Sequence, residues 1–222
     1  MQCIVTAGPT YEPLDEVRRL TNFSTGRLGS ELVNYLAARG HEATLLIAQS
    51  ATYRGERHAR QVETFTTTAN LRDRLQALAN PAVAAVFHAA AVSDFGFGKI
   101  WRRSTQGDLA ELKGGKLSTR EGTLLAELRP TPKIIAELRQ WFPTARLVGW
   151  KYEVEGGRAG VIRLAERQIT DCRTDACVAN GPAYGAGFGL VKGGSEFIHL
   201  PDSAALFAAL EEFLREGQDA RK

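Results

Sequence analysis

The residues best suited to chemistry lie between Gly8 and Gly29. Ser24-Thr25-Gly26-Arg27-Leu28-Gly29 sets hydroxyls and glycine amides at the start of a helical pattern, where unpaired N–H groups and the helix dipole favour phosphate. The same run also reads as a plain helix cap, and its place after the first strand favours phosphate by analogy with dinucleotide folds. The glycine fingerprint of those folds is missing, because Gly8 is followed by a long connection before the helix opens. That connection carries Arg18 and Asn22 just ahead of the cap. Arg18 suits either a bidentate pair with a phosphate or carboxylate, or an ion pair with Glu12 or Asp15. Asn22 can both donate and accept towards an acyl group.

These groups need a frame, and the first half of the chain supplies its pattern. Ile4-Val5-Thr6 reads as a strand, and Leu28, Leu32, Val33 and Leu36 recur at helical spacing, with Gly40 as the C-terminal cap. Ala43 to Ala48 and Val62 to Phe65 read as strands, and Leu71, Leu75 and Leu78 as one face of a second helix. The unbroken apolar run Val83 to Ala90 fits a strand buried on both faces, as parallel sheets require. Strands alternating with helices predict an α/β fold: a modified Rossmann-like parallel sheet with helices on both faces.

From Ser93 to Gly122 the periodicity fades into Gly, Ser, Lys and Arg with Phe95, Phe97, Ile100 and Trp101 interleaved, which predicts a long irregular flap. Thr131-Pro132 then predicts a capped helix through Phe142, followed by a strand at Leu147 to Trp150 and a helix at Gly160 to Ile169. Ala176 to Ala179 reads as the last central strand, ending in Asn180. Phe188 to Val191 and Phe197 to Leu200, joined across Lys192-Gly193-Gly194-Ser195, predict an extra edge hairpin, and Ser203 is expected to cap a final helix. Residues 1–222 read as one nucleotide-binding domain.

Composition narrows the function classes. The 222 residues are 44% hydrophobic, enough for a real core, and the net charge of +3 comes from basic and acidic residues scattered along the chain. No basic stripe offers itself to a nucleic acid, whereas a small anionic ligand suits this balance. Cys3, Cys172 and Cys177 form no CxxC pair, so neither a disulfide framework nor a zinc site is expected, and Cys3 and Cys177 read as buried hydrophobes. No signal peptide or membrane anchor is read, which points to the cytoplasm. A short-chain oxidoreductase is disfavoured because no Tyr-x-x-x-Lys pair occurs.

Thr6-Ala7-Gly8-Pro9-Thr10, Glu12-Pro13, Val17-Arg18 and Thr21-Asn22-Phe23-Ser24-Thr25-Gly26-Arg27-Leu28-Gly29 resemble the opening signature of the phosphopantothenate-cysteine ligases of coenzyme A biosynthesis. The resemblance continues through Ala89 to Asp94, Gly149-Trp150-Lys151 and Ala179-Asn180. It implies a Rossmann-like domain that forms a homodimer. It also implies a two-step ligation, in which the carboxylate of 4′-phosphopantothenate attacks the α-phosphate of CTP or ATP, with Mg2+, and cysteine then displaces the nucleotide.

By resemblance, Asn22 contacts the acyl intermediate, Arg18, Ala90 and Asn180 bind substrate, and Gly8, Ser24, Thr25, Gly26, Asp94, Trp150 and Lys151 bind nucleotide. Trp150 stands where the family has phenylalanine beside the base, and as a bare residue it reads equally as core; Asn180 reads equally as a strand-ending turn. Lys116 is the one lysine that aligns with the family's lysine-rich flap run, and the resemblance makes it catalytic. Lys99, Lys113, Arg102 and Arg103 are other flap cations that could reach a triphosphate. The chain is expected to act without the flavin-dependent decarboxylase domain that some homologues carry. A diverged paralogue that binds nucleotide or phosphopantothenate without ligating is the alternative, motivated by the reduced lysine run.

Overall fold

Six short segments align as parallel strands because each of the first five is followed by a connection that returns the chain to the same end of the sheet. The computed structural model describes residues 1–118, 122–194 and 196–219; Thr119 and Ser195 of the runs above lie outside them. β1 (Gln2–Ala7) leads into a small hairpin, β2 (Tyr11–Pro13) and β3 (Arg19–Thr21), which the sequence did not signal, and then into α1 (Arg27–Ala38). β4 (Glu42–Ala48), β5 (Gln61–Phe65), α2 (Thr68–Ala77) and β6 (Val83–His88) complete the first half. After β7 (Phe95–Arg103), β8 (Leu109–Glu111) and β9 (Thr123–Pro130) come α3 (Ile134–Trp141), β10 (Arg146–Tyr152), α4 (Gly157–Cys172) and β11 (Ala176–Asn180). The edge hairpin β12 (Phe188–Lys192) and β13 (Glu196–Leu200) precedes α5 (Ser203–Asp219).

The main sheet runs β13-β12-β11-β10-β6-β1-β4-β5, with β12 and β13 antiparallel and the other pairings parallel. In chain order its parallel strands therefore lie 3-2-1-4-5-6, the doubly wound arrangement with a reversal between β1 and β6. α1 packs on α5, while α2 packs on α3 and α3 on α4, so helices cover both faces. Central strands read almost entirely buried, as in Val5, Leu45, Val86, Phe87 and Val178, which explains their continuous apolar runs. Among the described residues no helix is long and apolar enough to cross a membrane.

Several local expectations change. β6 stops at His88 rather than Ala90, because the amide of Ala90 turns to the Thr6 hydroxyl instead of a neighbouring strand. The segment read as an irregular flap contributes to an antiparallel sheet, β8-β7-β9, in which β7 and β8 form a hairpin across Ser104 to Asp108 with Gly107 at positive φ, while β9 pairs with β7 from 20 to 35 residues away and leaves no short-range turn signal. α3 starts at Ile134, and the hydroxyl of Thr131 donates to the carbonyl of Ser93 instead of capping it. α5 is capped by Asp202, whose carboxylate accepts from the amide of Ala205 at 2.8 Å, rather than by Ser203. Cys3 and Cys177 are buried as expected, and burial pushes the Cys3 thiol up to about 12.

Gly29 marks where α1 lies closest to β1. A Cβ there would stand 2.6 Å from that of Ala7 and 3.1 Å from the Thr6 carbonyl oxygen, so the helix must withdraw from the strand to admit one. Gly29→Ala is expected to destabilise the protein by about 1–3 kcal/mol through this overpacking. A urea midpoint equal to that of the parent chain would show that α1 does not need the close approach.

Candidate functional site

Where neighbouring parallel strands send their connections in opposite directions, their C-terminal ends part and leave a crevice. Here that happens between β1 and β6, and an open cleft of about 1400 Å³ lies over the gap. Its two sides are stitched together beyond the strands. Ala91 donates its amide to the Gly8 carbonyl at 3.0 Å, and Thr10 donates to the Ala91 carbonyl at 3.1 Å. The Thr10 hydroxyl, fully buried, accepts from the Ser93 amide at 2.8 Å.

The first wall is the turn into α1. Gly26 takes the N-cap position in the left-handed region, with φ 79°, where a side chain would be strained and where its Cβ would also press on Ile47. No side chain caps the helix in the sense expected of Ser24 and Thr25. Thr25 Oγ1 accepts only the Arg27 amide, at 3.3 Å, which leaves the first-turn amides of Leu28 and Gly29 without intrahelical partners beside the cleft.

The second wall comes from the ends of β10 and β11. Trp150, Lys151 and Asn180 all line the cleft, and Trp150 Nε1 and Asn180 Oδ1 are buried with no hydrogen-bond partner. Unsatisfied buried polar atoms cost free energy and are rare, so one donor and one acceptor left open on the same wall suit a ligand edge that supplies both complements. Lys151 is paired with Glu153 at 3.1 Å.

Between the walls, Asn22 hangs from the stitching: its Nδ2 donates to the Ala91 carbonyl at 3.1 Å, which fixes the amide group at the cleft. Ala90 and Asp94 line the same floor. His88, which the sequence reading passed over, ends β6 there, 5% exposed. Its Nδ1 lies 3.0 Å from the Thr6 hydroxyl, which already accepts from Ala90. The hydroxyl proton is therefore free for Nδ1, which assigns the ring proton to Nε2. Desolvation lowers the imidazole pKa to about 4, so the ring is neutral near pH 7. A single histidine within the otherwise apolar run Val83 to Ala90 was the available signal.

Gly8, Asn22, Ser24, Thr25, Gly26, Ala90, Asp94, Trp150, Lys151 and Asn180 thus converge on one cleft, whereas Arg18 and Lys116 do not line it. Arg18 is tied to Asp15, with Nη2 2.6 Å from Oδ2, and donates to the Leu117 carbonyl at 2.7 Å. Asp15 in turn accepts the Leu117 amide at 3.1 Å, and the Glu16 amide donates to the Gly115 carbonyl at 2.9 Å. The guanidinium of Arg18 holds the Asp15 carboxyl far below the usual carboxylate range. This clamp fixes the flap segment carrying Lys116 to the turn between β2 and β3, with the Lys116 side chain exposed.

Residues 1–201 match the family model for the DNA/pantothenate metabolism flavoprotein C-terminal domain. The chain is 33% identical over 177 residues to the coenzyme A biosynthesis bifunctional protein CoaBC of Thermococcus kodakarensis, covering 80% of this chain and 40% of that protein. It is 31% identical over 188 residues to a cysteine/cysteine sulfinic acid decarboxylase of an unknown prokaryotic organism, covering 83% of this chain and 47% of that protein. The chain therefore spans less than half the length of these relatives.

Among solved structures, the DNA/pantothenate metabolism flavoprotein from Streptococcus pneumoniae matches with TM-score 0.80 at 22% identity, covering 98% of this chain and 99% of that one. A Cab2 mutant in complex with phosphopantothenate-cysteine matches with TM-score 0.74 at 16% identity, covering 99% and 88%. At these identities the two structures establish the shared fold.

The buried imidazole links the cleft to stability. An unfolded His88 titrates near 6.5 and the folded one near 4, so between those values the unfolded chain binds a proton that the native site refuses. The stabilisation is complete above about pH 6.5 and falls away towards pH 4, by on the order of 3 kcal/mol. His88→Asn, which keeps an acceptor for Thr6, is expected to flatten this part of the profile. Identical pH slopes in chemical denaturation for both proteins would contradict it.

Proposed function

We propose that this chain, which belongs to the DNA/pantothenate metabolism flavoprotein C-terminal domain family, that of the phosphopantothenate-cysteine ligases, joins 4′-phosphopantothenate to cysteine using CTP or ATP. The observation that carries the reading is the pairing of the two cleft walls. Free helix amides at Leu28 and Gly29 suit phosphates on one side, and the open donor of Trp150 and acceptor of Asn180 suit a nucleotide edge on the other. In this reading Gly8, Ser24, Thr25 and Gly26 face the phosphates, Trp150, Lys151 and the acceptor of Asn180 the nucleotide edge, Asp94 the nucleotide, and Ala90 the junction with the acyl substrate.

The carboxylate oxygen of 4′-phosphopantothenate bonds to the α-phosphorus while the bond to the β-phosphate oxygen breaks, and pyrophosphate leaves with the electron pair. The amine of cysteine then attacks the acyl carbon and expels the nucleoside monophosphate. Asn22 is anchored through Nδ2, so its Oδ1 is the atom available to orient the acyl group and the incoming amine. Neutral His88 offers an Nε2–H donor at the same floor without adding charge.

Magnesium fits this arrangement as a companion of the phosphates. Among the described residues no cluster of three His, Cys, Asp or Glu could form a protein cage, and magnesium with nucleotides needs only one or two carboxylates. Asp94, exposed in the cleft, is the residue that would hold it, and the ion would withdraw charge from the triphosphate.

Arg18 and Lys116, which do not line the cleft of their own chain, are read here as presented to the cleft of a second copy, in keeping with the homodimer that the resemblance implies. Exposed apolar side chains at Leu20 and Phe23, and at Leu109 and Leu128 of the flap sheet, offer the surface for it. Sedimentation is expected to give a dimer at micromolar concentration, and a monomer would leave Arg18 and Lys116 without a role.

Incubation with 4′-phosphopantothenate, cysteine and either CTP or ATP is expected to release pyrophosphate and form the amide. Asn22→Asp should lower the rate by about 10²-fold or more by setting a carboxylate against the acyl group. Tight nucleotide binding with no pyrophosphate under any combination would instead identify a diverged binding paralogue.

A further inference from the structure

The cations around the cleft are not equivalent. Arg27 is held by Glu31, with Nε 2.6 Å from Oε1, and Lys151 by Glu153. Lys133 lines the same cleft and, among the described residues, makes no hydrogen bond or ion pair through its side chain. The flap lysine Lys99 lies on Glu111 at 3.1 Å, and Lys116 is carried away by the Asp15 clamp. Lys133 is thus the cleft-lining Lys or Arg left without a carboxylate.

Its position is fixed and electrostatically adverse. The Thr131 amide donates to the Asp94 carbonyl at 3.0 Å and its hydroxyl to the Ser93 carbonyl, which ties the segment before α3 to the cleft floor. Ile134 and Ile135, which follow Lys133, are buried, so the start of the helix cannot swing away. Lys133 occupies the N-cap position of α3, where no side chain caps the helix. A cation there faces the positive end of the helix dipole, a site that favours anions. The first-turn acid that could offset it, Glu137, is engaged by Arg72 of α2 at 2.6 Å. Lys133 is solvent-exposed, so an anion in the cleft can reach both the uncapped helix end and an ammonium that no carboxylate holds.

Resting on the ligase reading above, the geometry points to Lys133 as the cation that a chain's own cleft offers to the nucleoside triphosphate, its ammonium lying against the phosphate chain and the departing pyrophosphate. Lysine suits this task as a compact point charge. The charge that it meets resides on the β- and γ-phosphates, so its contribution separates triphosphates from monophosphates.

The full chain, its Lys133→Gln and Lys133→Arg variants and Lys116→Gln are titrated calorimetrically with CTP, ATP, CMP and AMP, and their thermal midpoints are recorded without ligand. Lys133→Gln is expected to weaken binding of the preferred triphosphate by about 10- to 100-fold while leaving the monophosphate unchanged. The arginine variant should restore most of the triphosphate affinity, and the glutamine variant should melt no lower than the parent because it removes an adverse charge. Equal losses for mono- and triphosphate, no loss, or a triphosphate-selective loss in Lys116→Gln alone would overturn the assignment. A parent chain that binds triphosphate through Lys133 yet releases no pyrophosphate with 4′-phosphopantothenate and cysteine would sink the ligase reading alone. A parent chain that binds no triphosphate would sink both.

Discussion

The reversal of strand order between β1 and β6 is the constraint from which the site follows. Two adjacent parallel strands whose connections leave on opposite faces must separate at their C-terminal ends, and no helix of either layer can cover the gap. This chain holds the gap at a fixed width with backbone bonds between Gly8, Thr10 and Ala91 and with the buried hydroxyls of Thr6 and Thr10. Asn22 hangs from the same Ala91 carbonyl, and the segment leading to Lys133 hangs from Ser93 and Asp94. One set of stitches therefore sets the positions of groups that are more than a hundred residues apart in the chain.

Charge is distributed around this opening by pairing. Arg27, Lys151 and Arg18 each have a carboxylate, His88 is kept neutral by burial, and the cysteine thiols are buried and protonated. At the cleft itself the groups left unmatched are Trp150 Nε1, Asn180 Oδ1, the amides at the start of α1 and the solvent-exposed ammonium of Lys133, while buried unpartnered atoms also occur elsewhere, at Ser30, His41, Arg57 and Thr174. Partners for buried polar atoms are the rule in folded proteins, so the open donor of Trp150 and the open acceptor of Asn180 on one wall are what this cleft offers to a ligand.

The insertion between β6 and α3 follows a different logic. Its strands β7 and β9 pair residues that lie 20 to 35 positions apart and pack beside β2, while the Asp15–Arg18 pair grips Leu117. The result is a small sheet with exposed leucines and a tip fixed at the first hairpin, rather than a loose cover. Its exposed leucines are the feature that suits its expected part in assembly.

By itself the sequence determined the alternation of buried strands and amphipathic helices, the edge hairpin and the turn at Ser24 to Gly29, while the cleft residues from Asn22 to Asn180 were named through the family resemblance of their motifs. The elements were legible because local periodicity and turn residues report burial and turn geometry within a few residues. Only the tertiary structure decided that the flap is a sheet, that Asp15 takes Arg18 and Lys116 out of their own cleft, that His88 and Lys133 enter it, and that Trp150 and Asn180 are left with unmet hydrogen bonds. Each of these depends on which distant groups meet a side chain, and on which charges are already satisfied. That accounting exists only once the strands are ordered and the two sides of the β1–β6 gap are joined.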